Sequence, residues 1–234
     1  MNRLIIIVPC YNEQEVLPET TPQLVQVVQD LIQKQKIAEN SGILLVNDGS
    51  RDTTWQIIKE QHQKYPCVFG LNLAGNVGHQ NALFAGIDTM KDRCDFSISI
   101  DADLQDDTAA IEKMVDAYLN GADIVYGVRS SRESDSFFKR TTAQGFYKFM
   151  SAMGVKTVYN HADFRLMSAR AMQQLCRDKE RNLFLRGLVP EIGYKTATVT
   201  YARKPRTAGE SKYPLKKMLA FAWQGITSFS IKPI

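Results

Sequence analysis

The chain has 234 residues, 44% of them hydrophobic and 23% charged, a balance ordinary for a globular fold with a real core, whether one large domain or a domain with an appendage. The net charge of +4 gives no reason to expect a nucleic-acid partner. No apolar run reaches the roughly 18 residues a bilayer span needs, and the N-terminus enters a strand-like run directly, so neither a spanning helix nor a signal peptide is expected.

The charge is unevenly placed. Glu13, Glu15 and Glu19 lie near the start, while Arg203, Lys204, Arg206, Lys212, Lys216 and Lys217 crowd the end, so one face is expected to meet an anionic partner. Cys10, Cys67, Cys94 and Cys176 are scattered without a CxxC pair and read as reduced thiols of a cytosolic compartment.

In chain order, RLIIIV (3–8) is a short apolar, β-branched strand, followed by a helical pattern over 15–35. ILLVN (43–47) is the next strand and 52–64 the next helix, with Asp52 as its N-cap. Strand 67–73 precedes helix 79–90, FSISI (96–100) precedes helix 107–119, and ADIVYG (122–127) closes the series. Continuous apolar strands alternating with amphipathic helices predict an α/β fold, a mostly parallel sheet covered on both faces.

After residue 128 the pattern changes. Residues 128–144 are polar and basic and read as a loop, and 145–153 as a helix. ADFRLMS (162–168) reads as a strand, 169–178 as a helix, and YKTATVTYAR (194–203) alternates as a half-exposed strand should. A basic loop (204–213) leads into PLKKMLAFAWQGITSFSIKPI, a basic amphipathic stretch. No linker interrupts the chain, so residues 1–213 read as one domain and 214–234 as an extension.

In open parallel sheets, ligands bind beyond the carboxyl ends of the strands. Those ends carry PCYNE, NDGS, NLAGNVG and DADLQDD in succession. Each has a plain structural alternative: NDGS is a good tight turn, and in PCYNE Asn12 could cap the next helix with Glu15 beneath it. AGNVG is no GxGxxG fingerprint and follows the third strand, which argues against a dinucleotide fold. Neither GxxxxGK[ST] nor HExxH occurs.

The acidic stretch admits a calcium loop by register, but Asp106 stands where the sharp turn needs Gly, and a strand precedes it where a helix should. Asp107 reads as the cap of the following helix, and Asp106 shares that work or stays in solvent. Capping does not account for Asp101 and Asp103. Two carboxylates at i and i+2 of a strand end can both approach one hard cation, Mg²⁺ or Mn²⁺, with phosphate oxygens supplying other ligands. The chemistry implied is departure of a diphosphate.

The motifs IIIVPCYNE, NDGSRDTT, DADLQDD, ADFRL and AGESKY, in this order, resemble glycosyltransferase family 2. Within it they resemble the polyprenyl-phosphate sugar transferases, which include dolichol-phosphate mannose synthase and the bactoprenol glucosyltransferases. The resemblance implies a GT-A fold and a nucleotide-sugar donor, with UDP-glucose the first choice. It implies that Pro9, Tyr11, Asn12, Glu13 and Asp48 hold the base and ribose, with Ala102 beside them. By the same resemblance Asp101, Asp103 and Gln105 surround the metal and diphosphate, and Asp163 lies near the reacting sugar. Arg129, Arg203, Ser211 and Lys212 would grip the acceptor phosphate or the donor diphosphate.

There are departures. Asp107 replaces a frequent Pro, and His79, where relatives often carry a basic residue, is given no role. Relatives usually continue into transmembrane helices after a segment like GITSFSIKP, where this chain stops; a truncated chain, or one relying on its amphipathic end, is expected. That end would lie in the membrane interface, with Lys toward headgroups and Phe221, Trp223 and Phe229 dipping inward, or those aromatics would be core or oligomer contacts.

The expectation is a metal-dependent inverting transfer of a hexose to a polyprenyl phosphate on the cytoplasmic face of the inner membrane. A phosphate monoester is already anionic and does not strictly need a general base. The role of Asp163 among base, sugar contact and electrostatic stabiliser stays open, as does a homo-oligomer. The rivals are a polysaccharide-extending family 2 enzyme, a sugar-phosphate nucleotidyltransferase and an inactive nucleotide-sugar-binding module. The first would want a QxxRW motif, of which QLCRD lacks the Trp; the second would want a Gly-rich first loop, absent here.

Overall fold

The computed structural model describes residues 1–130, 161–177 and 185–202. The strands are β1 (Leu4–Cys10), β2 (Gly42–Asn47), β3 (Val68–Asn72), β4 (Phe96–Ser99), β5 (Ile124–Arg129), β6 (His161–Ser168) and β7 (Thr196–Tyr201). They form one seven-stranded sheet in the order β3-β2-β1-β4-β6-β5-β7. The helices are α1 (Leu17–Gln33), α2 (Thr54–Lys64), α3 (His79–Met90), α4 (Ala109–Leu119), α5 (Ala169–Arg177) and α6 (Leu185–Glu191). The expected helix at 145–153, Arg203, Ser211, Lys212 and the whole 214–234 extension lie outside the described residues.

β1 is central because its side chains are apolar on both faces. Leu4, Ile6 and Val8 pack with residues of α1, α4 and β6, while Ile5 and Ile7 pack with α3, α5 and α6. Burying each such side chain contributes about 1.5–3 kcal/mol. Gly86 lets α3 approach closely: a Cβ there would meet Ile7 Cγ2 at 2.6 Å and Val46 Cγ2 at 3.0 Å. β1 pairs with β4 only as far as Ile7 but with β2 as far as Cys10. Pro9, which has no N–H to give, thus falls where the strand is paired on one side.

β6 runs antiparallel between β4 and β5, whereas the other pairings are parallel. This reversal matters for the site. An antiparallel strand brings its beginning, not its end, to the edge where the parallel strands finish. β7 is exposed at alternate positions, as expected of an edge strand.

Two of the expected caps hold in function. The Asp52 carboxylate accepts from Thr54 N at 3.0 Å and that of Asp107 from Ala109 N at 3.3 Å, each one residue ahead of the assigned cap. The alternative of a cap at Asn12 does not hold. α1 starts at Leu17 without a side-chain cap, and Asn12 adopts φ +52° with its carboxamide oxygen accepting from Arg51 N at 2.9 Å. The neighbouring loop takes the side chain that would have capped the helix.

Candidate active site

Three strand-end loops are stitched into one surface. After β1, Asn12 N donates to Ser50 Oγ at 3.0 Å and Glu13 N to Thr54 Oγ1 at 2.9 Å. Gly49, at φ +60°, comes so close to the loop after β3 that a Cβ would meet the Gly75 carbonyl carbon at 2.4 Å. Asp48 is buried, and its carboxylate accepts from Asn76 Nδ2 at 2.9 Å, Val77 N at 2.7 Å and Gly78 N at 3.1 Å. Pro9, Tyr11, Asn12, Glu13 and Asp48 thus lie on or beside these strand-end loops. Asp48 faces the loop it organises.

The acidic turn follows β4. Ile100 N extends the ladder to Ile7 O at 3.1 Å, and the chain then turns through Leu104, which adopts φ +44°, a left-handed conformation costly for a side chain that size. Several contacts hold it there. Thr20 of α1 donates to Ala102 O at 2.6 Å, Leu104 N to Asp101 O at 3.2 Å and Gln105 N to Asp103 Oδ1 at 3.3 Å. Asp106, expected to cap or face solvent, does neither. It is 1% exposed and accepts from Tyr201 Oη at 2.6 Å and from Arg129 Nε and Nη2 at 3.3 and 3.2 Å. Arg129, a candidate phosphate grip, thus has its guanidinium against Asp106 and the Tyr201 hydroxyl.

Asp163 stands at the start of β6, beyond the end of β4, because Ser99 pairs with Arg165 in the antiparallel register. Ser99 Oγ donates to the Asp163 carbonyl. Arg186 of α6 forks onto the Asp163 carboxylate, Nε to Oδ1 at 3.3 Å and Nη2 to Oδ2 at 3.1 Å. Arg165, 2% exposed, lies 3.6 Å from Oδ1. His79, the first residue of α3, places Nε2 3.5 Å from Asp101 Oδ1 and 3.8 Å from Asp163 Oδ2. His79 thus lies between the acidic turn after β4 and the start of β6.

The electrostatics separate the two carboxylates. Burial pushes the pKa of Asp163 up, but Arg186, Arg165 and His79 override it and hold the group well below the usual carboxylate range. The Asp101 side chain is 43% exposed. Partial loss of water raises its pKa, His79 pulls it back, and Asp163, Asp106 and Asp103 push it further up. Asp101 is a carboxylate crowded by three others, a site where a cation relieves repulsion.

The donor set fits a hard divalent ion. Asp101 and Asp103 offer carboxylate oxygens and Gln105 an amide oxygen on one turn. Among the described residues no group of three or more His, Cys, Asp or Glu forms a complete cage. Two carboxylates with remaining positions left to phosphate oxygens are what Mg²⁺ and Mn²⁺ at diphosphates use.

Sequence reasoning missed Arg165, Arg186, Tyr201 and His79. Arg165 was within reach: it is two residues from Asp163 on a strand, hence on the same face. Arg186 had no local signal, since its pairing with Asp163 spans 23 residues.

The order β3-β2-β1-β4-β6-β5-β7 with an acidic turn after β4 is the arrangement expected of a GT-A fold. The Glycosyl transferase family 2 model matches residues 5–176, and the chain belongs to that family. It is 58% identical over 231 residues to the uncharacterized glycosyltransferase YkoT of Bacillus subtilis (strain 168), covering 99% of this chain and 68% of that protein. It is 38% identical over 233 residues to the bactoprenol glucosyl transferase of Shigella phage SfV, covering 99% and 73%. Among solved structures, glucosyl-3-phosphoglycerate synthase of Mycobacterium tuberculosis, in complex with Mn²⁺, UDP and phosphoglyceric acid, superposes with TM-score 0.61 at 14% identity, covering 100% of this chain and 80% of that one. No helix among the described residues is long and apolar enough to cross a membrane.

Proposed function

We propose that this glycosyltransferase moves glucose, with inversion, from UDP-glucose to a polyprenyl phosphate at the cytoplasmic face of the inner membrane. The observation that carries the reading is the state of Asp163. A carboxylate forked by Arg186, flanked by Arg165 and held far below its ordinary pKa is a poor proton acceptor. The acceptor that suits such a site is one that needs no base. A phosphate monoester brings its own anionic oxygen at neutral pH. Further support comes from the 38% identity with a protein named a bactoprenol glucosyl transferase.

The bond changes are simple. An oxygen of the acceptor phosphate forms a bond to the anomeric carbon as the bond from that carbon to the UDP oxygen breaks, and the electron pair leaves on the diphosphate. Attack from the face opposite the leaving group inverts the configuration. Mg²⁺ or Mn²⁺, when bound, neutralises the charge growing on the diphosphate. The protein's own residues orient. The Asn12, Glu13 and Asp48 loops form the nucleoside end, Asp101, Asp103 and Gln105 would hold the ion, and Asp163 with its arginines sets the field beside the sugar. Arg129, Arg203, Ser211 and Lys212 are assigned to the acceptor phosphate, and the 214–234 segment to the membrane surface.

The test supplies radiolabelled UDP-glucose, Mn²⁺ and either undecaprenyl phosphate or undecaprenol in detergent, followed by organic extraction. Label is expected in the organic phase with the phosphate alone. Label with undecaprenol, or with neither while another sugar nucleotide is consumed, would overturn the assignment.

A further inference from the structure

The buried contact of Asp106 with Tyr201 and Arg129 is not part of the ion-binding set, yet it belongs to the same turn. Asp106 is five residues beyond Asp101 and three beyond Asp103, on the far side of the left-handed Leu104. Its carboxylate oxygen meets the hydroxyl of Tyr201, the last residue of β7, at 2.6 Å and the guanidinium of Arg129, the last residue of β5, at 3.2 Å. Tyr201 is itself buried, its ring edge-on to Phe164 with centroids 5.2 Å apart. Phe164 follows Asp163. One hydroxyl thus touches the acidic turn while its ring touches the residue beside the second candidate carboxylate.

A buried ion pair is weak evidence for stability, since an apolar contact of similar volume does as well. What a carboxylate supplies that an apolar side chain cannot is direction. The turn that carries Asp101 and Asp103 has to hold Leu104 in a disfavoured conformation, and such a conformation persists only where the surroundings over-determine it. On one side the turn is tied by Thr20 to Ala102 O; on the other, Asp106 is its tie.

Resting on the donor assignment made above, we infer that Asp106 and Tyr201 are positioning residues, which tie the turn carrying Asp101 and Asp103 to the ends of β5 and β7 and so set its affinity for the divalent ion and diphosphate. Neither touches the ion or the sugar.

The test is calorimetric titration of UDP with and without Mn²⁺ on wild type, Tyr201→Phe and Asp106→Asn, with thermal unfolding of each. Tyr201→Phe removes a single oxygen and keeps the ring against Phe164, so it stands even if Asp106→Asn folds poorly. With only part of the loss of one hydrogen bond to a charged group carried through the turn to the ion site, the Mn²⁺-dependent affinity is expected to weaken about three- to tenfold. The Mn²⁺-independent affinity is expected to stay as in wild type. A lowered unfolding midpoint with unchanged Mn²⁺-dependent binding would make the contact structural only and overturn the inference. Absence of UDP binding by the wild type, with and without Mn²⁺, would bring down the donor assignment and this inference with it.

Discussion

The guanidinium of Arg186 meets the carboxylate of Asp163 side-on, Nε 3.3 Å from Oδ1 and Nη2 3.1 Å from Oδ2, across 23 residues of sequence. A forked pair of this kind fixes orientation as well as charge. It leaves Asp163 a poor proton acceptor, in line with the electrostatic role proposed for it.

The titratable groups facing Asp163 are Arg165, Arg186, His79 and Asp101. Because the folded pKa of Asp163 is depressed, its ionisation contributes stability that is present above the unfolded value and lost as pH falls through that value toward the folded one. Asp163→Asn lacks that contribution. The gap in unfolding midpoint between wild type and variant is therefore expected to be widest above about pH 5 and to narrow as pH falls below about 4. Thermal scans between those limits check it; a gap that grows with acid would contradict the pairing.

Arg165 is the more buried of the two arginines, 2% exposed against 33% for the Arg186 side chain. Removing a buried partner strands charge where water cannot compensate, so Arg165→Met is expected to cost about 3 kcal/mol. Arg186→Gln, nearer the solvent, is expected to cost less than about 1.5 kcal/mol. Its effect should fall on turnover. Urea unfolding of both variants checks the order.

The parallel half of this fold was legible because β1 and β2 are apolar on both faces, β4 is short and buried, and each is followed by a helical period. The acidic turn was legible because Asp101 and Asp103 stand just beyond a buried strand. The rest depends on contacts that no local pattern encodes. Asp106 looked like one more solvent-facing carboxylate until β7 brought Tyr201 to it, 95 residues away. His79 had no evident purpose until the start of α3 and the start of β6 met at Asp101. Asn12 had the chemistry of a helix cap but lies beside Ser50 and Arg51, whose backbone and hydroxyl claim it.

Asp48, expected to hold the nucleoside, has its carboxylate turned to the loop after β3. Its buried carboxylate accepts from two backbone N–H groups of the loop after β3. Asp48→Ala leaves those donors unpaired and is expected to destabilise the fold by about 2–3 kcal/mol while weakening nucleotide binding. Denaturant titration and UDP calorimetry on the same preparation would separate the two effects. Intact stability with lost binding would mean direct contact only.

Gly86→Val should be tolerated poorly for a reason unrelated to chemistry. A Cβ there already falls within 3.0 Å of Ile7 and Val46 side chains, so α3 must lift from the sheet. Overpacking of this kind costs about 1–3 kcal/mol, and because His79 begins the same helix, a loss of activity larger than the loss of fold is expected. A midpoint equal to wild type would show that α3 shifts freely.

The most direct measurement is calorimetric titration of UDP, GDP and UDP-glucose, each with and without Mn²⁺, against wild type and Asp103→Asn. If the acidic turn holds a cation for a diphosphate, UDP and UDP-glucose bind the wild type in an Mn²⁺-dependent way, GDP does not compete, and Asp103→Asn loses the Mn²⁺ dependence. Equal binding with and without Mn²⁺ by both proteins would contradict it, leaving Asp101 and Asp103 without the role assigned to them.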